Sequence, residues 1–424
     1  MKYENTYGEF GISDEVLKLV SDAEKELSEM FLGIDLVREK NELKVLRAMQ
    51  KNNVNEACLL ETTGYGYNDL GRETLENVYA DIFRTEEALV RNQIMCGTHA
   101  LTVAIAGNTR PGDVVYSPCG LPYDTLQTVL GLSGARGSLR EYGVGFSYSE
   151  LKTDGTFDYD RIREEIPEKV KLIEIQRSRG YSLRPSYTVE EIGELIEFVK
   201  KIRPDAYVMV DNCYGEFVEE HEPSEFGADL TVGSLIKNPG GGIAPVGGYI
   251  AGSEECVENA AARLTAPGIG REIGPSLGIT RSMFMGLYNA PGVVSQALKG
   301  AVLLARVYEK LGYRVLPSSA DKRSDIVQSV ILQSPEKLVA FCSGVQFSSP
   351  VDAAYAPEPD SMPGYDCDVI MAAGCFTSGS SIELSADGPL RDPYTVYYQG
   401  GLNFTQGKLA VMKTVQEMKD KGLL

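Results

Sequence analysis

A chain of 424 residues, 43% hydrophobic and 24% charged, is long enough for a large core and more than one domain, and has the make-up of a soluble globular protein. Its formal charge of −19 argues against nucleic acid and anionic membranes as partners, because phosphate groups are gripped by basic surfaces. No apolar run is long enough to span a bilayer, and the opening residues Met1-Lys2-Tyr3-Glu4-Asn5 lack the hydrophobic segment of a signal peptide, so a cytoplasmic protein is expected. The eight cysteines include no Cys-x-x-Cys pair and read as reduced packing residues. With His99 and His221 the only histidines, neither a histidine-rich zinc site nor a Ser-His-Asp triad is supported, and no metal is expected.

In chain order, two helical patterns come first, Asp14 to Phe31 and Gly33 to Lys51, with Val16, Leu17, Val20, Ala23, Leu27 and Phe31 on one stripe. They predict an N-terminal helical arm over 1–60. The glycine- and tyrosine-rich stretch from Thr62 to Arg72 is a surface loop or an active-site loop, and the helix Glu73 to Phe83 follows. From about residue 85 to 250 helical patterns alternate with short apolar strands: Asp113–Tyr116, Val170–Ile175, Tyr207–Val210, Leu230–Val232 and Gly248–Ala251. Such alternation predicts a mainly parallel sheet covered by helices, filling a large domain over 61–292, with ligands at the C-terminal ends of its strands. A helix from Val293 to Leu311 opens a smaller C-terminal α+β domain, 293–424. There Val327–Leu332 and Ser380–Leu384 alternate like strands, and Gly407–Lys421 closes the chain as a helix.

Three places in the large domain carry chemistry. Lys237 ends the apolar run Val232-Gly233-Ser234-Leu235-Ile236 and precedes Asn238-Pro239-Gly240-Gly241-Gly242. An amine screened by that run is expected to have a lowered pKa and to bond readily to an aldehyde. Upstream, Ala206–Asn212 reads as a buried strand that delivers Asp211 at its C-terminal end. A lysine to hold an aldehyde and an acid to keep a ring nitrogen protonated are what pyridoxal phosphate requires. The third place is Met95-Cys96-Gly97-Thr98-His99, where a helix start would aim free N–H groups at a phosphate, with the Ser234 hydroxyl able to join them. Singly, each has an ordinary alternative: a solvated loop lysine, a strand-end acid capping a turn, a plain N-cap.

Together these segments resemble the cysteine/methionine-metabolism group of fold-type-I pyridoxal-phosphate enzymes. The match is best to the methionine gamma-lyase-like or aluminium-resistance family, related to cystathionine beta-lyases. It is carried by Gly-Ser-Leu-Ile-Lys-Asn-Pro-Gly-Gly-Gly (233–242), Gln-Arg-Ser-Arg-Gly-Tyr (176–181) and Ile-Glu-Leu-Ser-Ala-Asp-Gly-Pro-Leu-Arg (382–391), and it runs from about Tyr65 to Gly401. The resemblance implies a fold-type-I α/β fold and a carbon–sulfur lyase of a sulfur-containing amino acid, by beta- or gamma-elimination. An aminotransferase, a gamma-replacement synthase and a weakly catalytic cofactor-binding stress protein are the alternatives.

The resemblance also implies residue roles. Lys237 would hold the cofactor and then move the substrate's alpha-proton, Asp211 would meet the ring nitrogen, and Tyr123 would stack on the ring. Gly97, Thr98 and Ser234 would bind the phosphate, with His99 packed near the ring. Tyr65 and Tyr67 resemble a loop that in related lyases reaches the neighbouring subunit's site, which implies a homodimer or homotetramer. Those relatives usually place arginine where Tyr67 stands, so Arg72 is the candidate substitute cation. They also carry an Arg-Leu-Ser segment whose arginine clamps the substrate carboxylate, where this chain has Glu383-Leu384-Ser385. Arg391 is then the first candidate clamp and Arg177 or Arg179 the second.

Overall fold

The N-terminal stripe folds as α1 (Asp14–Glu26) and α2 (Ser28–Lys51). The break falls at Leu27, five residues before the expected one, because Gly33 sits inside α2. A mid-helix glycine costs about 1 kcal/mol relative to alanine but does not end a helix. The computed structural model describes residues 6–362 and 367–424. The Met1–Asn5 stretch read above therefore lies outside the described residues.

There follow α3 (Leu70–Phe83), β1 (Glu87–Arg91), α4 (Gly97–Asn108), β2 (Val114–Ser117), α5 (Asp124–Leu130), β3 (Gly145–Tyr148), α6 (Tyr159–Glu165) and β4 (Val170–Gln176). Next come α7 (Val189–Ile202), β5 (Tyr207–Asp211), β6 (Leu230–Ser234), β7 (Gly248–Gly252) and α8 (Glu254–Leu264). Local sequence explains several helix starts. Asp69 accepts the Arg72 N–H at 2.9 Å to cap α3, and Thr188 and Glu191 form a reciprocal capping box on α7. Seven strands form one sheet in the order β1-β7-β6-β5-β4-β2-β3. β2 to β6 pair in parallel, while β7 runs antiparallel to both β6 and β1. All five strands expected in this region are present; β1 and β3, at the sheet's two edges, were not foreseen.

Strand alternation sorts the apolar side chains onto two faces. Val115, Leu172, Met209, Val232 and Ile250 pack with α4 and α8 on one face. Tyr116, Ile173, Ile175, Val208 and Val210 pack with α6 and α7 on the other. Two polar residues break this pattern within β4: Glu174 and Gln176 share the face of Leu172, and Glu174 is fully buried.

The remainder comprises α9 (Thr280–Lys310), β8 (Arg314–Leu316), β9 (Gln328–Ile331), α10 (Pro335–Gln346), β10 (Val369–Ala372), β11 (Ser385–Pro389), β12 (Thr395–Gln399) and α11 (Phe404–Asp420). Its five strands form an antiparallel sheet in the order β10-β11-β12-β9-β8. By contact density the chain divides into two compact units, Lys40–Ala290 and, as the second, Met1–Glu39 with Pro291–Leu424. Two expectations fail here. Helix α9 begins at Thr280 and runs through Pro291 instead of starting after it. Ser380–Leu384 is a bent segment and the strand follows it, because the Glu383 carboxylate accepts the N–H groups of Phe376 and Thr377 at 2.8 and 2.9 Å and folds the chain back. Among the described residues no helix is long and apolar enough to cross a membrane.

Helices α10 and α11 meet at Gly344, where an added Cβ would lie 2.6 Å from Thr414 Cα. Backbone cannot give way as a flexible side chain does. Gly344→Ala is expected to lower the unfolding free energy by about 1–3 kcal/mol despite alanine's better helix propensity, measured by urea denaturation.

Candidate functional site

The parallel strands end on one side of the sheet, and three of the expected elements meet there. Asp211 is the last residue of β5 and Ser234 the last of β6, while Lys237 follows β6 by one turn. Helix α4 starts at Gly97, and Cys96 at its N-cap makes no side-chain hydrogen bond to it, leaving the first N–H groups without a side-chain cap. Gly97 lies beside the turn after β5 and the end of β6: an added Cβ would make ordinary van der Waals contact with Cys213 Sγ and Ser234 Cβ, each at 3.4 Å. Thr98 Oγ1 lies 2.8 Å from Thr125 Oγ1, and His99 Nδ1 accepts the Met95 N–H at 3.1 Å.

The turn after β5 builds the wall around the lysine. Tyr214 and Phe217 have φ of +73° and +62°, a left-handed conformation that non-glycine residues hold only when their surroundings enforce it. Lys237 Nζ sits 4.1 Å from the centre of the Tyr214 ring. The expected lowering of the lysine's pKa is not found. Burial acts in that direction, but Cys213, Tyr214, Asp211 and Glu216 surround the amine with acidic groups that outweigh it, so the free amine is held protonated above its ordinary range. Glu216 accepts the Tyr249 hydroxyl at 2.9 Å and lies against Gly233, where a Cβ would come within 2.4 Å of its Oε1. Burial pushes the Glu216 carboxyl up to about 8.

Arg177 is not a free clamp. Its guanidinium is wholly buried, donating to Asn212 Oδ1 at 2.7 Å and Glu219 Oε1 at 2.8 Å, with Glu222 Oε2 at 3.6 Å. Asn212 in turn donates to Glu222 at 2.9 Å. Arg177 thus ties β4 to the turn that carries Asp211 and Tyr214. Arg179 is buried two residues on, its Nε 3.4 Å from Ser186 Oγ. Arg72 is also buried, with Nη1 donating to the carbonyls of Gly66 and Gly274 at 2.7 and 3.0 Å, so it braces the loop bearing Tyr65 and Tyr67. Those two tyrosines are exposed and stack on each other with centroids 5.5 Å apart.

Tyr123 caps α5 and rests on Gly180, whose added Cβ would lie 3.1 Å from the ring, with Tyr181 edge-on at 6.1 Å. The Gln-Arg-Ser-Arg-Gly-Tyr segment therefore seats this tyrosine. Arg391 belongs to the second unit, exposed in the loop between β11 and β12. Cys213, Tyr214, Glu216 and Glu174 were missed as site residues. The first three fall within the four residues after Val-Asp-Asn, and Glu174 is an acid flanked by isoleucines in a strand, which was the available signal.

Two outcomes follow from this geometry. Arg177→Met leaves buried carboxylates without their cation and is expected to cost about 3–5 kcal/mol of stability, read from the urea midpoint; a residue that only touched substrate would leave that midpoint in place. For Glu216, the folded value of about 8 exceeds the ordinary 4.5, so its stabilisation is complete below about 4.5 and is lost as pH rises through about 8. The thermal midpoint of Glu216→Gln should accordingly fall less across that range than that of the parent protein.

The family model described as methionine gamma-lyase matches residues 16–419. The Bacillus subtilis (strain 168) protein YnbB is 48% identical over 96% of this chain and 97% of its own. A proposed cystathionine beta-lyase involved in aluminium resistance from Clostridium acetobutylicum superposes with a TM-score of 0.94 at 47% identity, covering 97% of each chain. A carbon-sulfur lyase involved in aluminium resistance from Clostridium novyi NT gives a TM-score of 0.93 at 46% identity over 97% of each chain. The fold alone is shared further, with the pyridoxal-5'-phosphate-dependent protein YhfS of Escherichia coli at a TM-score of 0.59 and 14% identity over 91% of this chain and 97% of that one. It is the fold-type-I architecture. A match over nearly the whole chain, with the lysine, aspartate and helix start in the expected order, places this chain in the methionine gamma-lyase family.

Proposed function

We propose that this protein is a pyridoxal-phosphate-dependent carbon–sulfur lyase of a sulfur-containing amino acid such as cystathionine, methionine or cysteine. The observation that carries the reading is the meeting of the Lys237 amine, the Asp211 carboxylate and the α4 start beside the Gly97–Ser234 contact. The fit is tested by Gly97 itself: the absence of a Cβ and of a side-chain cap leaves the helix N-terminus open to a phosphate, with the dipole favouring it. When bound, the cofactor supplies an electron sink for the substrate's alpha-carbon. The lyase names of the Clostridium relatives support the same class.

In this reading Lys237 would hold the cofactor's aldehyde and would take up and return the substrate's alpha-proton as base and acid. Its proton must leave before it can act as a nucleophile, since the surrounding acidic groups favour the charged amine. Asp211 would hold the ring nitrogen, Tyr123 would stack on the ring, and Gly97, Thr98 and Ser234 would hold the phosphate, with His99 alongside. Arg391 and Arg179 are the candidates for the substrate's carboxylate; Arg177 is committed to its carboxylates, and Arg72 to loop carbonyls. Tyr65 serves a neighbouring subunit's site in a homodimer or homotetramer. The charge of −19 favours an enzyme of small molecules over one that binds nucleic acid or anionic membranes, and a cytoplasmic location is part of the same reading.

Cystathionine, methionine, cysteine and homocysteine supplied separately are expected to yield a 2-oxo acid and a thiol from at least one. Pyruvate marks beta-elimination and 2-oxobutyrate gamma-elimination. Lys237→Ala should lose activity by at least about 10²-fold, and borohydride reduction of the loaded protein followed by peptide mapping should find the cofactor on Lys237. Amino transfer to an added keto acid with no thiol released would replace the lyase reading.

A further inference from the structure

Glu174 is the one charged residue type buried in the middle of the parallel sheet on the cofactor-facing side that the roles above leave unused. It lies on β4, in register with Met209 of β5, while Gln176 is in register with Asp211. In a parallel pair, residues two apart on one strand share a face, so Glu174 and Asp211 project from neighbouring strands onto the same side, diagonal to each other. Glu174 is wholly buried, and neither carboxyl oxygen has a partner at hydrogen-bonding geometry. A leucine or methionine would complete the Leu172–Met209 layer without any desolvation cost.

We propose that Glu174 is a positioning residue for Asp211: it keeps a proton beside that carboxylate, so that the pair carries a single negative charge located on Asp211. The proposal rests on the reading of Asp211 as the partner of the cofactor's ring nitrogen.

The environment decides which acid keeps the proton. Four groups face Glu174: Ser117 at the end of β2, Cys119 just after it, Asp211 on β5, and Arg184 in the loop before α7. Ser117 Oγ and Cys119 Sγ lie 3.4 Å apart, and Cys119 Sγ also accepts the Gln176 N–H at 3.4 Å; the Ser117 hydroxyl and the Arg184 charge favour the ionised form of Glu174, but burial outweighs both. Burial pushes the Cys119 thiol up to about 11, so it adds no charge. The Arg184 guanidinium is committed to the carbonyls of Gln176, Ser178 and Pro185 at 2.7, 2.7 and 2.8 Å. Among the described residues no cation lies within ion-pair distance of Glu174.

Asp211 is better placed to bear charge. It stands at the strand end, accepts the Cys213 N–H at 3.1 Å, and lies within the field of Lys237. Two carboxyls in a dry interior do not both ionise, and the better-solvated and better-bonded one takes the charge. Burial first, and then the charge of Asp211, push the Glu174 carboxyl up to about 8. Below that value the ring nitrogen's partner is one localised carboxylate; above it a second charge develops alongside and raises the proton affinity of any base held there.

The test is a pH titration of the loaded protein from about pH 6 to about pH 10. Infrared difference spectra of the parent protein should lose a protonated-carboxyl band with a midpoint near 8 that is missing in Glu174→Gln. The Glu216 carboxyl, also pushed up to about 8, has a band of its own that Glu174→Gln leaves in place. The visible absorbance of the bound cofactor should shift with the same midpoint in the parent and stay flat in Glu174→Gln. Glu174→Met fills the space without a titrating group and should give the same flat profile; a purely structural role would not move that profile. A cofactor-absorbance midpoint near 8 that persists in Glu174→Gln, or infrared difference spectra from which that substitution removes no band, overturns the proposal. Normal cofactor uptake with either result refutes the role of Glu174 alone, whereas a protein that takes up no pyridoxal phosphate refutes the proposed function and this role with it.

Discussion

The buried guanidinium of Arg177 is the interaction on which the site's shape depends. It reaches from the end of β4 to Asn212, Glu219 and Glu222, and Gly215 is the residue that lets it through, since a Cβ there would lie 2.6 Å from Arg177 Cδ and Nη1. One fork-shaped cation with several donors can hold a turn whose own backbone would not choose its conformation. Tyr214 and Phe217 keep positive φ within that turn, which buries Asp211, Cys213, Glu216 and Glu222. The fixed backbone is what brings an acid, a thiol and a phenol together around one amine.

That arrangement gives the site its electrostatic character. The acidic groups around Lys237 outnumber the cations, and the surplus is managed by keeping deeply buried carboxyls neutral: Glu216 against the Tyr249 hydroxyl, Glu174 beside Asp211. Separating titrating groups by environment is how a protein assigns acid and base roles at one pH. Burial depth and hydrogen bonding, more than residue type, decide which of the carboxyls near the site carry charge.

Much of the large unit was legible because its signals are local. Apolar runs such as Tyr207–Val210 and Leu230–Val232 can only be buried strands when helices flank them, and all five such runs pair in one sheet. The edge strands β1 and β3 escaped because Glu87–Arg91 and Gly145–Tyr148 are short and mixed in polarity. In the second unit, Ser380–Leu384 alternates as a strand does, yet the Glu383 carboxylate binds two N–H groups of the preceding loop, a pairing with no period to reveal it. The helix boundaries at Leu27 and Thr280 shifted for a similar reason: glycine and proline lower helix stability locally, but packing decides whether they end a helix.

From its amino-acid order alone this chain specified an alternating α/β layer, the family of Lys237 and Asp211, and the strand ends at which they stand, because hydrophobic periodicity and motif spacing are properties of neighbours in the chain. Only the tertiary structure decided what each charge does. Arg177 pairs with carboxylates 42 and 45 positions away, Lys237 is ringed by acidic groups and gains proton affinity where burial alone would have removed it, and Glu174 meets Asp211 across two strands. Electrostatics depends on distance and solvent access in three dimensions, and neither is written in the order of residues.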